Sequence, residues 1–209
     1  MEIEKIIADQ LLKYKAVKLS PDKPFTWASG WKSPIYCDNR KILSYPEARK
    51  TVVDAFVKLI KEHYNEYDVI AGVATGAIAY GALVADILNK PFIYVRPAPK
   101  DHGLGSQIEG DFEKGAKVIV IEDLISTGSS SLSAVDCLLK NGANVLGIVA
   151  IFSYNFIKAI TSFEKANVEL YSLSHYDALL DEAVKSNYIK SEELETLKKW
   201  RINPELWGK

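Results

Sequence analysis

Four short apolar runs, Val69-Ile70-Ala71, Phe92-Ile93-Tyr94-Val95, Val118-Ile119-Val120-Ile121 and Val145 to Phe152, alternate with stretches of helical periodicity. They are rich in β-branched residues and lack polar alternation, which suits strands buried on both faces. The helical patterns cover Ala77 to Leu88 and Ser131 to Lys140, the second stopped by Asn141-Gly142. This alternation predicts an α/β fold, a central parallel sheet flanked by helices with right-handed crossovers. Upstream, Ile3, Ile6, Ile7, Leu11 and Leu12 predict an amphipathic helix near 3–14. Ser44-Tyr45-Pro46-Glu47 reads as a capping box with proline in the first turn, ahead of an apolar stripe of Val52, Val53, Phe56, Leu59 and Ile60.

A length of 209 residues suits one domain, taken as residues 1–209. A net charge of −1 gives no general attraction to nucleic acid or membrane, so any anion must be held by local groups. The charge-free stretch Val69 to Ala85 is interrupted by Gly72, Thr75, Gly76 and Gly81 and reads as strand, turn and helix rather than a membrane span. The opening MEIEKIIADQLLKYK lacks the continuous apolar core of a secretory signal, and Cys37 and Cys137 form no CxxC or Cys/His pattern. A cytoplasmic protein is expected, with no structural zinc and no protein-built metal site.

In parallel sheets ligands gather at the carboxyl ends of the strands. There the sequence offers Thr75-Gly76, Arg96 and Glu122-Asp123. Glu122 and Asp123 are read as closing their strand, with Leu124, Ile125, Ser126, Thr127, Gly128, Ser129 and Ser130 leading into a helix beginning near Ser131. Carboxylates accept hydrogen bonds from a ribose 2′,3′-diol but repel a phosphate, which belongs instead on the Gly128 turn, its hydroxyls and the helix N-terminus. The plainer alternative is a strand-to-helix connection whose Ser and Thr residues merely cap the helix. No GxxxxGK[ST] phosphate loop occurs.

Residues 97–117 form the one long segment without apolar periodicity, and loops of that length are usually lids or binding loops. Arg96, Lys100 and His102 cluster at its start among two prolines and two glycines. Three such groups can neutralise a polyanion such as pyrophosphate as charge builds on a leaving group, and a closing lid keeps water from a reactive intermediate. The alternative is a solvated loop whose charges have no role.

The strings VIVIEDLISTGSS, RPAPKDHGLGSQIEG and FTWASGWKSPIYCDNR together resemble the type I phosphoribosyltransferases, and within them the bacterial orotate phosphoribosyltransferases. The resemblance spans almost the whole chain. It implies transfer of ribose 5-phosphate from phosphoribosyl pyrophosphate (PRPP) to orotate, giving orotidine 5′-monophosphate and pyrophosphate in pyrimidine biosynthesis, with Mg2+ as cofactor. It implies that Ser126 contacts orotate, that Glu122 to Ser130 cradle the ribose phosphate, and that Arg96, Lys100 and His102 meet pyrophosphate, Lys100 and His102 being the catalytic pair. It also implies a small hood over the base from residues about 17–43, and a homodimer whose mobile loops reach the neighbouring subunit's site. Read without the resemblance, the hood segment is a β-hairpin with Gly30 at its turn and Pro34 on an edge strand.

Ala28 and Thr75 stand where some relatives carry lysine, Pro97 replaces a loop lysine, and no arginine lies around Phe152-Ser153-Tyr154 to pair with a base carboxylate. Lys32, Arg40 or hood amides are the alternatives for that charge. A phosphoribosyltransferase for another base would share the central loop but need another hood. A non-catalytic PRPP sensor that binds nucleic acid would carry a basic groove or an added domain. His63 and His175 are read as helix-end residues, and Trp200 and Trp207 as packing groups.

Overall fold

The computed structural model describes residues 2–27, 29–98 and 106–207. Helix α1 (Glu2–Lys13) opens the chain, followed by strands β1 (Val17–Leu19), β2 (Phe25–Thr26), β3 (Lys32–Ser33) and β4 (Ile35–Cys37). A 3-10 turn (Asn39–Ser44) leads to α2 (Pro46–His63), β5 (Val69–Val73), α3 (Ile78–Leu88), β6 (Phe92–Val95), β7 (Ile108–Glu109), β8 (Lys117–Ile125) and α4 (Ser129–Lys140). The remainder is β9 (Asn144–Ser153), α5 (Ile157–Ala166), β10 (Glu169–His175), α6 (Tyr176–Lys185), a second 3-10 turn (Ser191–Glu193) and α7 (Leu194–Ile202).

The central sheet has the order β10-β9-β8-β5-β6-β7, parallel except for β7, which runs antiparallel to β6. The α/β expectation is met, with two strands beyond the four predicted. The β10 segment ELYSLSH is an edge strand with few fully buried positions, so it lacks the continuous apolar signature. The two-residue β7 lies inside the stretch read as loop, where it pairs Val95 with Ile108 and Tyr94 with Glu109.

Three boundaries differ from the sequence reading. Strand β8 does not close at Glu122-Asp123 but continues to Ile125, because pairing of Glu122 with Ala150 and Leu124 with Phe152 overrides the low strand preference of acids. Helix α4 starts at Ser129 rather than near Ser131, so Ser129 and Ser130 belong to its first turn. Ser44 does not cap α2: it ends the 3-10 turn, and Tyr45 takes the cap position with no side-chain bond while Pro46 opens the helix. Among the described residues no helix is long and apolar enough to cross a membrane.

The sheet is packed on both faces. Ile119, Ile121, Val149 and Ile151 face a core that includes Ile7, Leu11, Val52, Phe56, Ile60, Tyr80 and Trp200. Val118, Val120, Ile148 and Ala150 pack against Ala134, Leu138, Ala159 and Phe163 from α4 and α5. The segment expected to form the hood folds as a pair of two-stranded ribbons, β2 with β3 and β1 with β4. Gly30 takes φ +84° in the β2–β3 turn, a left-handed conformation that glycine adopts without strain. Pro34 lies between β3 and β4 rather than within a strand, where its carbonyl accepts from Ser20 N at 2.7 Å. The Trp27 indole donates to the Ile35 carbonyl at 3.0 Å and meets Trp200 edge-on at 5.6 Å, seating the hood on the C-terminal helix. Trp200 is therefore a packing group, as expected, and His175 caps α6 through Nδ1.

Candidate functional site

At the carboxyl ends of β5 and β8 lies a cavity of about 480 Å³, the size of a small-ligand site. Its floor includes Thr75 and Gly76 after β5 and Glu122, Asp123 and Leu124 from β8. Its walls are Cys37, Asp38 and Arg40 from the end of the hood, and Ser126, Thr127, Gly128 and Ser130 from the turn into α4. Three segments distant in the chain, within 37–40, 73–76 and 122–130, are thus brought to one opening.

Both carboxyls of the acidic pair are perturbed. Burial, then repulsion from Asp123, pushes Glu122 up to about 8. Ser131 Oγ donates to Glu122 Oε2 at 2.7 Å and the Asp123 amide donates to Oε1 at 3.0 Å, so both oxygens already hold protein donors. Asp123 is also raised, first by burial. Its carboxylate lies against Gly76, where a Cβ would stand 2.3 Å from Asp123 Cγ, so only glycine leaves the carboxylate its present place. The Cys37 thiol is pushed up by burial and then by Asp123 and Asp38, and its Sγ–H donates to Asn39 Oδ1 at 3.2 Å; it is a neutral wall rather than a nucleophile.

Gly128 caps α4 in a left-handed conformation, φ +80°, and a Cβ there would meet the Phe163 ring at 2.6 Å. Ser126, Thr127, Gly128 and Ser130 line the cavity where α4 begins, and a helix N-terminus leaves first-turn amides without intrahelical partners, an arrangement that suits an anion. Ser129 is exposed, its hydroxyl 3.2 Å from that of Thr127, and does not line the cavity. Ile125 is wholly buried in the core between the sheet and α4–α5 and contributes only backbone.

Arg96 stands in an adjoining cavity of about 140 Å³ that shares Val73, Ala74 and Ser130 with the main one. Its backbone is held on both sides by Gln107, at 2.8 and 2.7 Å, and its guanidinium lies 3.6 Å from Glu109. Lys100, His102 and Ala28 lie outside the described residues. Lys32 does not line the cavity; its ammonium donates to Thr26 Oγ1 at 2.8 Å.

Sequence reasoning assigned no role to Asn39, Tyr80 or Ser131. Asn39 is 1% exposed, and its side-chain amide donates to the Asp123 carbonyl at 2.5 Å while its own carbonyl accepts from Tyr80 OH at 2.8 Å. A buried asparagine has no local pattern; its position within the hood string was the only available signal.

Residues 39–165 match the family of the phosphoribosyl transferase domain. The chain is 53% identical to an orotate phosphoribosyltransferase of Porphyromonas gingivalis over 98% of this chain and 97% of that one. It is also 53% identical to one of Cytophaga hutchinsonii over the full length of both. Among solved structures, an orotate phosphoribosyltransferase from Aeropyrum pernix superposes with a TM-score of 0.76 at 29% identity, covering 88% of this chain and 99% of that one. A UMP synthase from Leishmania donovani gives 0.81 at 28% identity, covering 95% of this chain, which spans only 42% of that protein.

Proposed function

The chain belongs to the phosphoribosyl transferase family, among its orotate phosphoribosyltransferases, and on that premise we propose how its residues move ribose 5-phosphate from PRPP to orotate in UMP biosynthesis. The observation that carries the reading is that an acidic strand end, a hydroxyl-rich helix N-terminus and the hood share one cavity.

Asp123 accepts hydrogen bonds from the ribose hydroxyls, with Glu122 behind it holding the strand to α4 through Ser131. The 5′-phosphate is held by the turn of Ser126, Thr127, Gly128, Ser129 and Ser130, and Leu124 and Ile125 set the strand that aims it. Ser126 also touches orotate. Orotate N1 attacks the anomeric carbon and gives up its proton to solvent as the bond to pyrophosphate breaks through an oxocarbenium-like transition state, so the chain supplies no nucleophile. Arg96, Lys100 and His102 stabilise charge on the departing pyrophosphate, Lys100 and His102 as the catalytic pair.

Among the described residues no group of three or more His, Cys, Asp or Glu is arranged around one ion. The oxygens of Glu122 are occupied, which fits a cation carried mainly by pyrophosphate, ribose and water with Asp123 beside it. When bound, Mg2+ would supply charge neutralisation at pyrophosphate.

Residues 1–209 are read as one domain with 17–43 as its hood. The working form is a cytoplasmic homodimer in which each loop serves the neighbouring site, with neither nucleic acid nor membrane as partner. Incubating the protein with PRPP, orotate and Mg2+ and following orotidine 5′-monophosphate by mass tests the reading. Accumulation of product with matching pyrophosphate supports it; PRPP bound without any product contradicts it.

A further inference from the structure

Three carboxyl groups, Asp38, Glu122 and Asp123, line the main cavity, and among its described lining residues Arg40 is the one cation. The ionised part of this acidic lining repels an anionic base unless a positive group meets the base's own charge. We propose that Arg40 receives the orotate carboxylate and sets the preference for an anionic base over an uncharged one; this rests on the orotate reading above.

The placement of Arg40 suits that work. It follows the hood strand β4 by three residues, so its side chain enters the cavity from the side where the base must lie. In the function proposed above the other negative parts of the substrates go elsewhere, the 5′-phosphate to the N-terminus of α4 and pyrophosphate to the Arg96 side, where the adjoining cavity shares Ala74 with the main one. Lys32, another cation of this segment, turns to Thr26 and does not line the cavity.

Anchoring and freedom are combined in adjacent residues. Asn39 is buried and bonded to Asp123 and, through its carbonyl, to Tyr80, so the backbone entering Arg40 is fixed. The Arg40 side chain is 57% exposed and makes one hydrogen bond, from Nε to Asp38 Oδ1 at 2.7 Å. That bond orients the guanidinium and leaves the two terminal nitrogens as the parallel donor pair that a carboxylate accepts. No chemistry is asked of Arg40; it binds and orients orotate so that N1 faces the anomeric carbon.

The test is steady-state kinetics of wild type, Arg40→Gln and Arg40→Lys with orotate and PRPP varied separately, alongside uracil as a base without the carboxylate. Arg40→Gln should raise the KM for orotate by about 10- to 100-fold while that for PRPP changes by less than about threefold, and it should narrow the preference for orotate over uracil. Arg40→Lys, which keeps the charge without the fork, should fall between. An unchanged orotate KM, or a rise in the PRPP KM at least as large, would overturn the assignment and place Arg40 at pyrophosphate or at no ligand. Failure of wild type itself to use orotate would instead remove the functional reading on which the assignment rests.

Discussion

The side-chain amide of Asn39 donates to the backbone carbonyl of Asp123 at 2.5 Å, joining the end of the hood to the acidic strand across 84 positions of sequence. Two walls of the cavity are thereby tied to one another by one part-buried bond. Asn39→Ala leaves the Asp123 carbonyl without that donor, at a cost of about 1–3 kcal/mol. Urea denaturation should show that loss, and the KM values for orotate and PRPP should both rise because both walls shift. Unchanged stability and kinetics would show that the bond positions nothing.

Gly76→Ala is expected to act through Asp123. The new Cβ would stand 2.3 Å from the Asp123 carboxyl carbon, so that carboxylate must leave its present position. Calorimetric titration with PRPP should show affinity reduced by about tenfold or more, the loss of one charge-assisted hydrogen bond or more, in a protein that still folds. Wild-type affinity would mean that Asp123 does not bind the ribose.

The raised Glu122 carboxyl predicts the direction of a pH effect. Because the folded state holds this proton up to about pH 8 while an unfolded chain releases it near 4.5, unfolding releases a proton across that window. The contribution of Glu122 to stability is therefore fully present below about 4.5 and declines as pH rises toward 8, and the raised Asp123 acts in the same direction. Urea midpoints from pH 5 to 8 should fall more steeply for wild type than for Glu122→Gln. A wild-type slope equal to or shallower than that of the variant would contradict the assignment.

Lys100→Ala should lower kcat by about two orders of magnitude or more, in line with removal of a transition-state charge contact, with an unchanged thermal midpoint. Near-normal turnover would reject the role proposed for Lys100 at pyrophosphate.

Much of the frame was legible because it depends on local patterns. The four buried strands, the α4 turn at Gly128 and the Gly30 hairpin each carry a signature in composition or φ preference, and each appears in the fold. The misplaced boundaries share a physical cause. Glu122-Asp123 looks like a strand end from propensity, whereas ladder pairing with β9 carries the strand to Ile125. Ser44 looks like a cap until residues 39–44 wind into a 3-10 turn ahead of α2. The cavity lining was legible where its residues adjoin in sequence, at Glu122, Asp123, Leu124, Ser126, Thr127, Gly128 and Ser130, but not where distant segments meet. Asn39 and Tyr80 gain their meaning from positions 84 and 43 residues away from Asp123, and Ser131 gains its own from a carboxyl on another element.

The central claim, that this cavity transfers ribose 5-phosphate to orotate, is tested most directly by pyrophosphate release from PRPP and Mg2+ with a panel of bases: orotate, uracil, adenine, guanine and hypoxanthine. Release that depends on orotate and is weak or absent with every other base is the predicted result. Preference for a purine or for uracil, or PRPP binding with no release from any base, would contradict it.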